Sequence, residues 1–119
     1  MQGGDNIVKL KSYNFALRIV KLYKFLVETK KEYILSKQVL RSGTSIGANI
    51  EEAIGAQSKK DFISKFSIAY KEAKETFYWI KLLRDSGYII HKDAESILCD
   101  CEELCKIISK IITTSKENS

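Results

Sequence analysis

Proline is missing from the sequence, so nothing obliges a helix to break, and turns fall to Gly, Ser and Asp. Histidine occurs once, at His91. That excludes a multi-histidine metal centre, and no Glu-x-x-His pair of the di-iron bundle type is present. Neither a Gly-x-x-x-x-Gly-Lys phosphate loop nor a dinucleotide fingerprint occurs. Glu51 and Glu52 are adjacent, so on a helix they diverge by about 100° and make a poor acid–base pair. No segment reaches the roughly 18 uninterrupted apolar residues of a membrane span. The opening MQGGDNIVKLKS also lacks the apolar stretch of a secretory signal. These absences predict a cytoplasmic protein with no membrane association, no catalytic residues, no cofactor and no metal.

Cysteine is scarce and clustered, at Cys99, Cys101 and Cys105. On a helix Cys101 and Cys105 share the face of Ile97 and Ile108, and they read as buried thiols of a reducing compartment. Cys99 points away from that face, as an exposed free thiol.

What is present suits one folded domain: 119 residues, 45% apolar and 29% charged. The net charge of +5 is unevenly spread. Residues 1–50 hold nine Lys and Arg against three acids, whereas residues 86–119 hold four against six. A solvated surface needs no partner to explain this, yet a one-sided excess is also what a phosphate-binding face presents.

Four segments carry helical periodicity. In the first, from Ser12 to about Thr29, Phe15, Ile19, Leu22 and Leu26 form the stripe, while Leu17 and Phe25 interrupt the polar side. The second runs from about Tyr33 to Ile54, with Gly43 and Gly47 in the middle of its apolar face. Each glycine costs a helix about 1 kcal/mol; a close helix crossing explains them, a broken helix being the rival reading. Gly55 is placed to stop this helix in the left-handed conformation. Ser58 is the expected N-cap of the third segment, with Asp61 in its first turn, and Gly87 its stop. Ile68, Tyr78, Trp79 and Leu82 stand off its core stripe. The fourth segment, about Lys92 to Thr114, has a continuous apolar face from Ala94 to Ile112. The fold class expected is all-α, an antiparallel up-down-up-down four-helix bundle over residues 12–114. Residues 1–11 are assigned to an N-terminal arm and 115–119 to a frayed tail.

The stretch QVLRSGTSIGANIEEAIGAQSKKDF, residues 38–62, is the most distinctive. Gln38, Arg41, Ser45, Asn49 and Glu52 stack along one side of its helix, opposite the apolar face. Such a polar seam serves either a subunit contact, a nucleic acid, or water with local pairing. The stretch resembles the four-helix-bundle family encoded by intervening sequences of bacterial large-subunit ribosomal RNA genes. Gln38, Arg41, Ser45, Ile46, Asn49, Ile50, Glu52, Ala53, Gly55, Ser58, Lys60, Asp61 and Phe62 match that family's signature, and Val39 stands where Leu is usual. The likeness extends from Asn6 to Lys116. It implies four-helix subunits assembled as a homopentameric ring. A related branch, the accessory variability determinant of diversity-generating retroelements, implies association with nucleic acid and a reverse transcriptase. The resemblance assigns no catalytic residues.

The function expected is therefore a non-catalytic nucleic-acid-binding accessory protein, RNA before DNA, working as a homo-oligomeric ring. Arg18, Lys21, Lys24, Lys37 and Arg41 are the candidate phosphate contacts, with Lys59 and Lys60 as a second patch. No aromatic platform is interleaved with them, so base-specific reading is not expected. Leu17, Phe25, Ile68, Tyr78, Trp79 and Leu82 are the candidate oligomer interface. A protein–protein scaffold with incidental basicity is the alternative. A third reading rests on Arg84 and His91, whose Arg-x6-His spacing is similar to the ribonuclease motif of HEPN domains.

Overall fold

The structure is a computed structural model and describes residues 2–118, with side chains from Asn6 onward. It contains α1 (Gln2–Glu28), α2 (Leu35–Ile54), α3 (Lys59–Asp85) and α4 (His91–Glu117). Each helix packs on its neighbours in sequence, and α4 returns to α1, which closes an antiparallel four-helix bundle 47 Å long. None of the four is long and apolar enough to cross a membrane.

The helices begin and end where local chemistry dictates. Ser58 is extended and its hydroxyl accepts the Asp61 amide at 3.1 Å, the expected cap of α3. Gly87, at φ +87°, makes the left-handed turn out of α3. Gly55 is different: its φ of −86° is right-handed, so α2 ends without a left-handed residue. The start of α2 has no Ser, Thr, Asp or Asn cap. Glu32 substitutes: its carboxylate accepts the amides of Ile34 (3.2 Å), Leu35 (2.9 Å) and Ser36 (2.6 Å), three donors that the first turn leaves unpaired. Lys31 adopts φ 56° to aim it.

Both terminal expectations need correction. Of the arm assigned to residues 1–11, residues 2–11 belong to α1, and Val8 and Ser12 are buried in the bundle. The tail assigned to 115–119 largely continues α4 to Glu117, with Ser115 buried, and Lys59 Nζ donates to the Asn118 carbonyl at 2.7 Å. Met1 and Ser119, the extremes of the expected arm and tail, lie outside the described residues.

The core stripes lie where periodicity puts them. Phe15, Ile19, Leu22 and Leu26 face Val39, Ile46 and Ile50 of α2, Phe66, Ile80 and Leu83 of α3, and Leu98, Leu104 and Ile108 of α4. Each such side chain contributes about 1.5–3 kcal/mol by leaving water. Helix α2 is unbroken, and a Cβ on Gly43 would stand 2.8 Å from both Cγ atoms of Ile19, so the missing side chain lets α1 approach closely here. Within the core the Thr76 hydroxyl lies 2.8 Å from both Ser42 Oγ and the Glu72 carbonyl, which satisfies two buried hydroxyls across α2 and α3. Of the four seams, α1–α4 is the least closely packed.

Candidate nucleic-acid interface

Antiparallel topology gathers the C-terminal end of α1, the N-terminal end of α2 and the α3–α4 turn at one end of the bundle. Lys21, Lys24, Lys30, Lys31 and Lys37 belong to this end, and among the described residues none of them forms an ion pair. Of the acids next to them in sequence, Glu28 is exposed at the end of α1, whereas Glu32 is buried and accepts from three amides. Burial opposes ionisation there, but the three amide donors outweigh it and hold the carboxyl below the usual range. Glu28, Asp85, Asp93 and Glu95 belong to the same end, and Arg84 engages Asp85 and Glu95.

A cleft of about 770 Å³ opens here, between α1 and the α3–α4 turn. Its floor is apolar, from Leu22, Phe25, Tyr88, Ile89 and Ile97, and Arg18, Lys21 and Lys30 stand at its rim with Asp93. Phe25 is 40% exposed, and Lys30 Nζ lies 5.9 Å from its ring centroid. One aromatic ring, Phe25, thus shares the cleft with Lys21 of the candidate contacts and with Lys30. The sequence held part of the signal, since Phe25 follows Lys24 directly, but Lys30 meets the ring only once the Lys30–Lys31 turn folds back beside it.

The other candidate phosphate contacts are disposed differently. Arg18 is held by Asp100 of α4 at 2.7 Å and by Ser96 Oγ at 3.1 Å. Arg41 bridges Glu72 and Glu75 of α3, which raise its pKa, Glu75 most of all. Glu75 is lowered in turn, chiefly by the Trp79 indole N–H that donates to it at 2.9 Å, and then by Arg41 against the opposing effect of burial. Lys59 and Lys60 lie at the start of α3, at the opposite end of the 47 Å bundle from Lys21 and Lys37. The seven residues do not make one surface: three of them share one end of the bundle with Lys30 and Lys31.

The polar seam is mostly occupied within the chain. Arg41 reaches α3, Glu52 pairs with Lys65 at 3.1 Å, and the Asn49 amide donates to the Ser45 carbonyl and hydroxyl at 2.9 and 3.1 Å. Gln38 remains exposed. These contacts favour local pairing along the α2–α3 rim over a partner-facing seam.

The candidate interface residues separate into three places. Leu17 points outward from α1, Phe25 enters the cleft, and Ile68, Tyr78, Trp79 and Leu82 lie on α3. Trp79 and Leu82 are half-buried within the subunit, with Tyr78 edge-on to Trp79 at 5.1 Å. Leu10 (62% exposed) and Tyr13 (61%) join Leu17 (47%) on the side of α1 opposite its core stripe. Leu10 escapes a periodicity that starts at Ser12, and Tyr13 stands only one residue past that start.

Arg84 and His91 flank the α3–α4 turn, but the guanidinium is occupied. Arg84 donates to Asp85 at 2.8 Å and to Glu95 at 3.0 Å, and Asp85 foremost raises its pKa while its own is lowered by Arg84. Among the described residues no group of three His, Cys, Asp or Glu could hold a metal ion.

Known proteins share this architecture. A crystal structure of a protein of unknown function from the S23 ribosomal protein family, from Bacteroides thetaiotaomicron, is 57% identical, with a TM-score of 0.91 over 92% of this chain and 98% of that one. No functionally curated protein matches the chain. The sequence profile of the 23S rRNA-intervening sequence proteins matches residues 4–110. With the bundle, the residue 38–62 signature and a near-complete match in agreement, the chain belongs to the 23S rRNA-intervening sequence protein family.

Proposed function

We propose that the protein is a non-catalytic, nucleic-acid-binding accessory protein that acts in the cytoplasm as a homo-oligomeric ring, with RNA as its favoured ligand. The observation that carries this reading is that Lys21, Lys24, Lys30, Lys31 and Lys37 share one end of the bundle and form no ion pair among the described residues, with the exposed ring of Phe25 beside Lys30. Lysines of this kind contact phosphates through sequence-independent counterion release, and a neighbouring ring offers one base a stacking surface. Cleavage is not part of the proposal, because Asp85 and Glu95 occupy the guanidinium of Arg84.

Fluorescence anisotropy with a structured RNA, titrated over a range of salt, tests it. Binding should weaken steeply with salt. Replacing Lys21, Lys24 and Lys37 together by Gln should flatten the log–log slope by roughly 0.7–0.9 for each phosphate that is no longer neutralised. No binding at low salt, or binding that salt does not change, refutes the reading.

The ring rests on the outward stripe of Leu10, Tyr13 and Leu17, three large side chains that leave water only against another chain. Five copies is the number the family resemblance implies. Light scattering should give several times the 13.6 kDa chain mass, and Leu17→Glu should lower it; a wild-type monomer at micromolar concentration overturns the ring. The same stripe also suits a protein–protein scaffold. Pull-down with and without nuclease separates the two, since only a nucleic-acid-mediated association is lost on digestion.

A further inference from the structure

The cleft between α1 and the α3–α4 turn holds one group to which phosphate binding gives no role. Asp93 is the single acid among the residues that line it. It lies in the first turn of α4, where it complements the helix dipole. It is exposed and forms no ion pair among the described residues. A carboxylate at the mouth of a pure phosphate site repels the phosphate. It equally repels the head of a fatty acid and the side chains of an acidic peptide, ligands that an apolar floor and a rim of lysines would otherwise suit. The cleft presents its occupant with both signs of charge: Lys21 and Lys30 as cations, Asp93 as an acceptor, and between them an apolar floor with the Phe25 ring.

A nucleotide combines the matching features in one molecule. Its base has a flat face that stacks on an aromatic ring, its phosphate is an anion, and the edge of the base carries N–H donors. The bases differ in those donors. A carboxylate only accepts, and its two oxygens can take two parallel donors at once. On the Watson–Crick edge guanine alone sets two donors side by side, N1–H and the N2 amino group. Adenine and cytosine each place one amino donor beside a ring-nitrogen acceptor, and uracil places its single N–H between two carbonyls. An acceptor facing a carboxylate oxygen brings repulsion in place of a bond. Cytosine uses the same two guanine donors in a duplex, so this edge is free only where guanine is unpaired. A cleft of about 770 Å³ accommodates a purine.

We infer that the cleft is a site for one unpaired guanine of an RNA strand. The base lies against Phe25, its Watson–Crick edge donates to Asp93, and the adjoining phosphates meet Lys21 and Lys30. This rests on the nucleic-acid reading above and adds to it a base preference, which contacts to phosphate do not supply. Lys30 already stands 5.9 Å from the centroid of the Phe25 ring, so a base stacked there has a cation beside it for its own phosphate. The lysines hold the strand, and Asp93 selects the base.

Labelled oligoadenylates of equal length, carrying adenine, guanine, cytosine, uracil or hypoxanthine at the centre, are compared by fluorescence anisotropy at one low salt concentration. Hypoxanthine keeps N1–H but lacks the amino group. The guanine strand is expected to bind roughly five- to tenfold tighter than the adenine strand, the lower end for a bidentate base contact because Asp93 is exposed. Hypoxanthine should fall between them, and pairing the guanine with a complementary strand should remove the gain. Asp93→Asn, which offers one acceptor and one donor, should bring guanine and adenine within about twofold of each other. Equal binding of the guanine and adenine strands, a preference for any other base, or a guanine preference that survives Asp93→Asn overturns the site and leaves the nucleic-acid reading standing. If no strand binds, both fall, and the cleft takes a ligand of another class. The strands are compared on the unmodified chain, so they decide the matter whether or not the variant folds.

Discussion

Replacing Glu32 by Ala removes the acceptor of three amides at once, those of Ile34, Leu35 and Ser36. Ile34 is 75% exposed, so water can satisfy its amide in the variant. Ser36 is fully buried, so its amide is left without a partner. Losing a cap costs about 0.5–2 kcal/mol, and an unsatisfied buried donor about 1–3 kcal/mol. These overlap, which places Glu32→Ala at about 2–3 kcal/mol of destabilisation. For a chain of this size that lowers Tm by roughly 6–15 °C. Glu32→Gln keeps an oxygen acceptor but loses the charge, and should cost about half as much. Because the folded carboxyl titrates below its unfolded value of 4.5, its stabilisation is complete above that value and is lost as pH falls through the folded pKa. The difference between wild type and Glu32→Gln should therefore shrink on acidification. Urea unfolding at fixed protein concentration, at neutral pH and again below pH about 4, measures both. A loss under about 0.5 kcal/mol for Glu32→Ala, or a Gln difference that persists into acid, refutes the reasoning.

Two glycines of α2 should respond oppositely to alanine. At Gly43 the new methyl meets Ile19 at 2.8 Å, and overpacking of about 1–3 kcal/mol exceeds the ~1 kcal/mol propensity gain, so thermal unfolding should shift downward. At Gly47 the nearest atom is Ser12 Oγ at 3.4 Å, an ordinary contact, and the alanine variant should be neutral or up to about 1 kcal/mol more stable. Gly87→Ala meets no atom within 4 Å, so its cost is backbone alone, about 1–2 kcal/mol from φ +87°, readable in the same unfolding experiment.

Periodicity was enough to locate four helices, because each buries a stripe that repeats at 3.6 residues and nothing in the chain competes. It failed at the ends for a local reason. The first stripe is counted only from Ser12, although Val8, Phe15 and Leu22 stand seven residues apart on the buried stripe of α1. The basic residues show a different limit. Whether a cation is available to a phosphate depends on which acids lie opposite, and those acids are remote in sequence: 82 residues separate Arg18 from Asp100, and 31 separate Arg41 from Glu72. Lys21, Lys24 and Lys37 could be named from sequence but not told apart from Arg18 and Arg41. Glu32 as a cap was hidden because it is neither Ser, Thr, Asp nor Asn, and acts from outside the first turn.

The sparse α1–α4 seam bears on how the chain assembles. Three of the four helix pairings join segments that follow one another along the chain, so each can form by closing one short connection. The fourth must bring the first and last quarters together, and it is held at the surface by Arg18–Asp100 and Lys11–Glu103. Loop-closure entropy rises slowly with length, and exposed ion pairs return about 1 kcal/mol or less. Closure is thus a late step with little energy of its own, carried by the core that the earlier hairpins have already assembled. A nascent chain emerging from synthesis would hold three helices in register before α4 exists to complete the bundle.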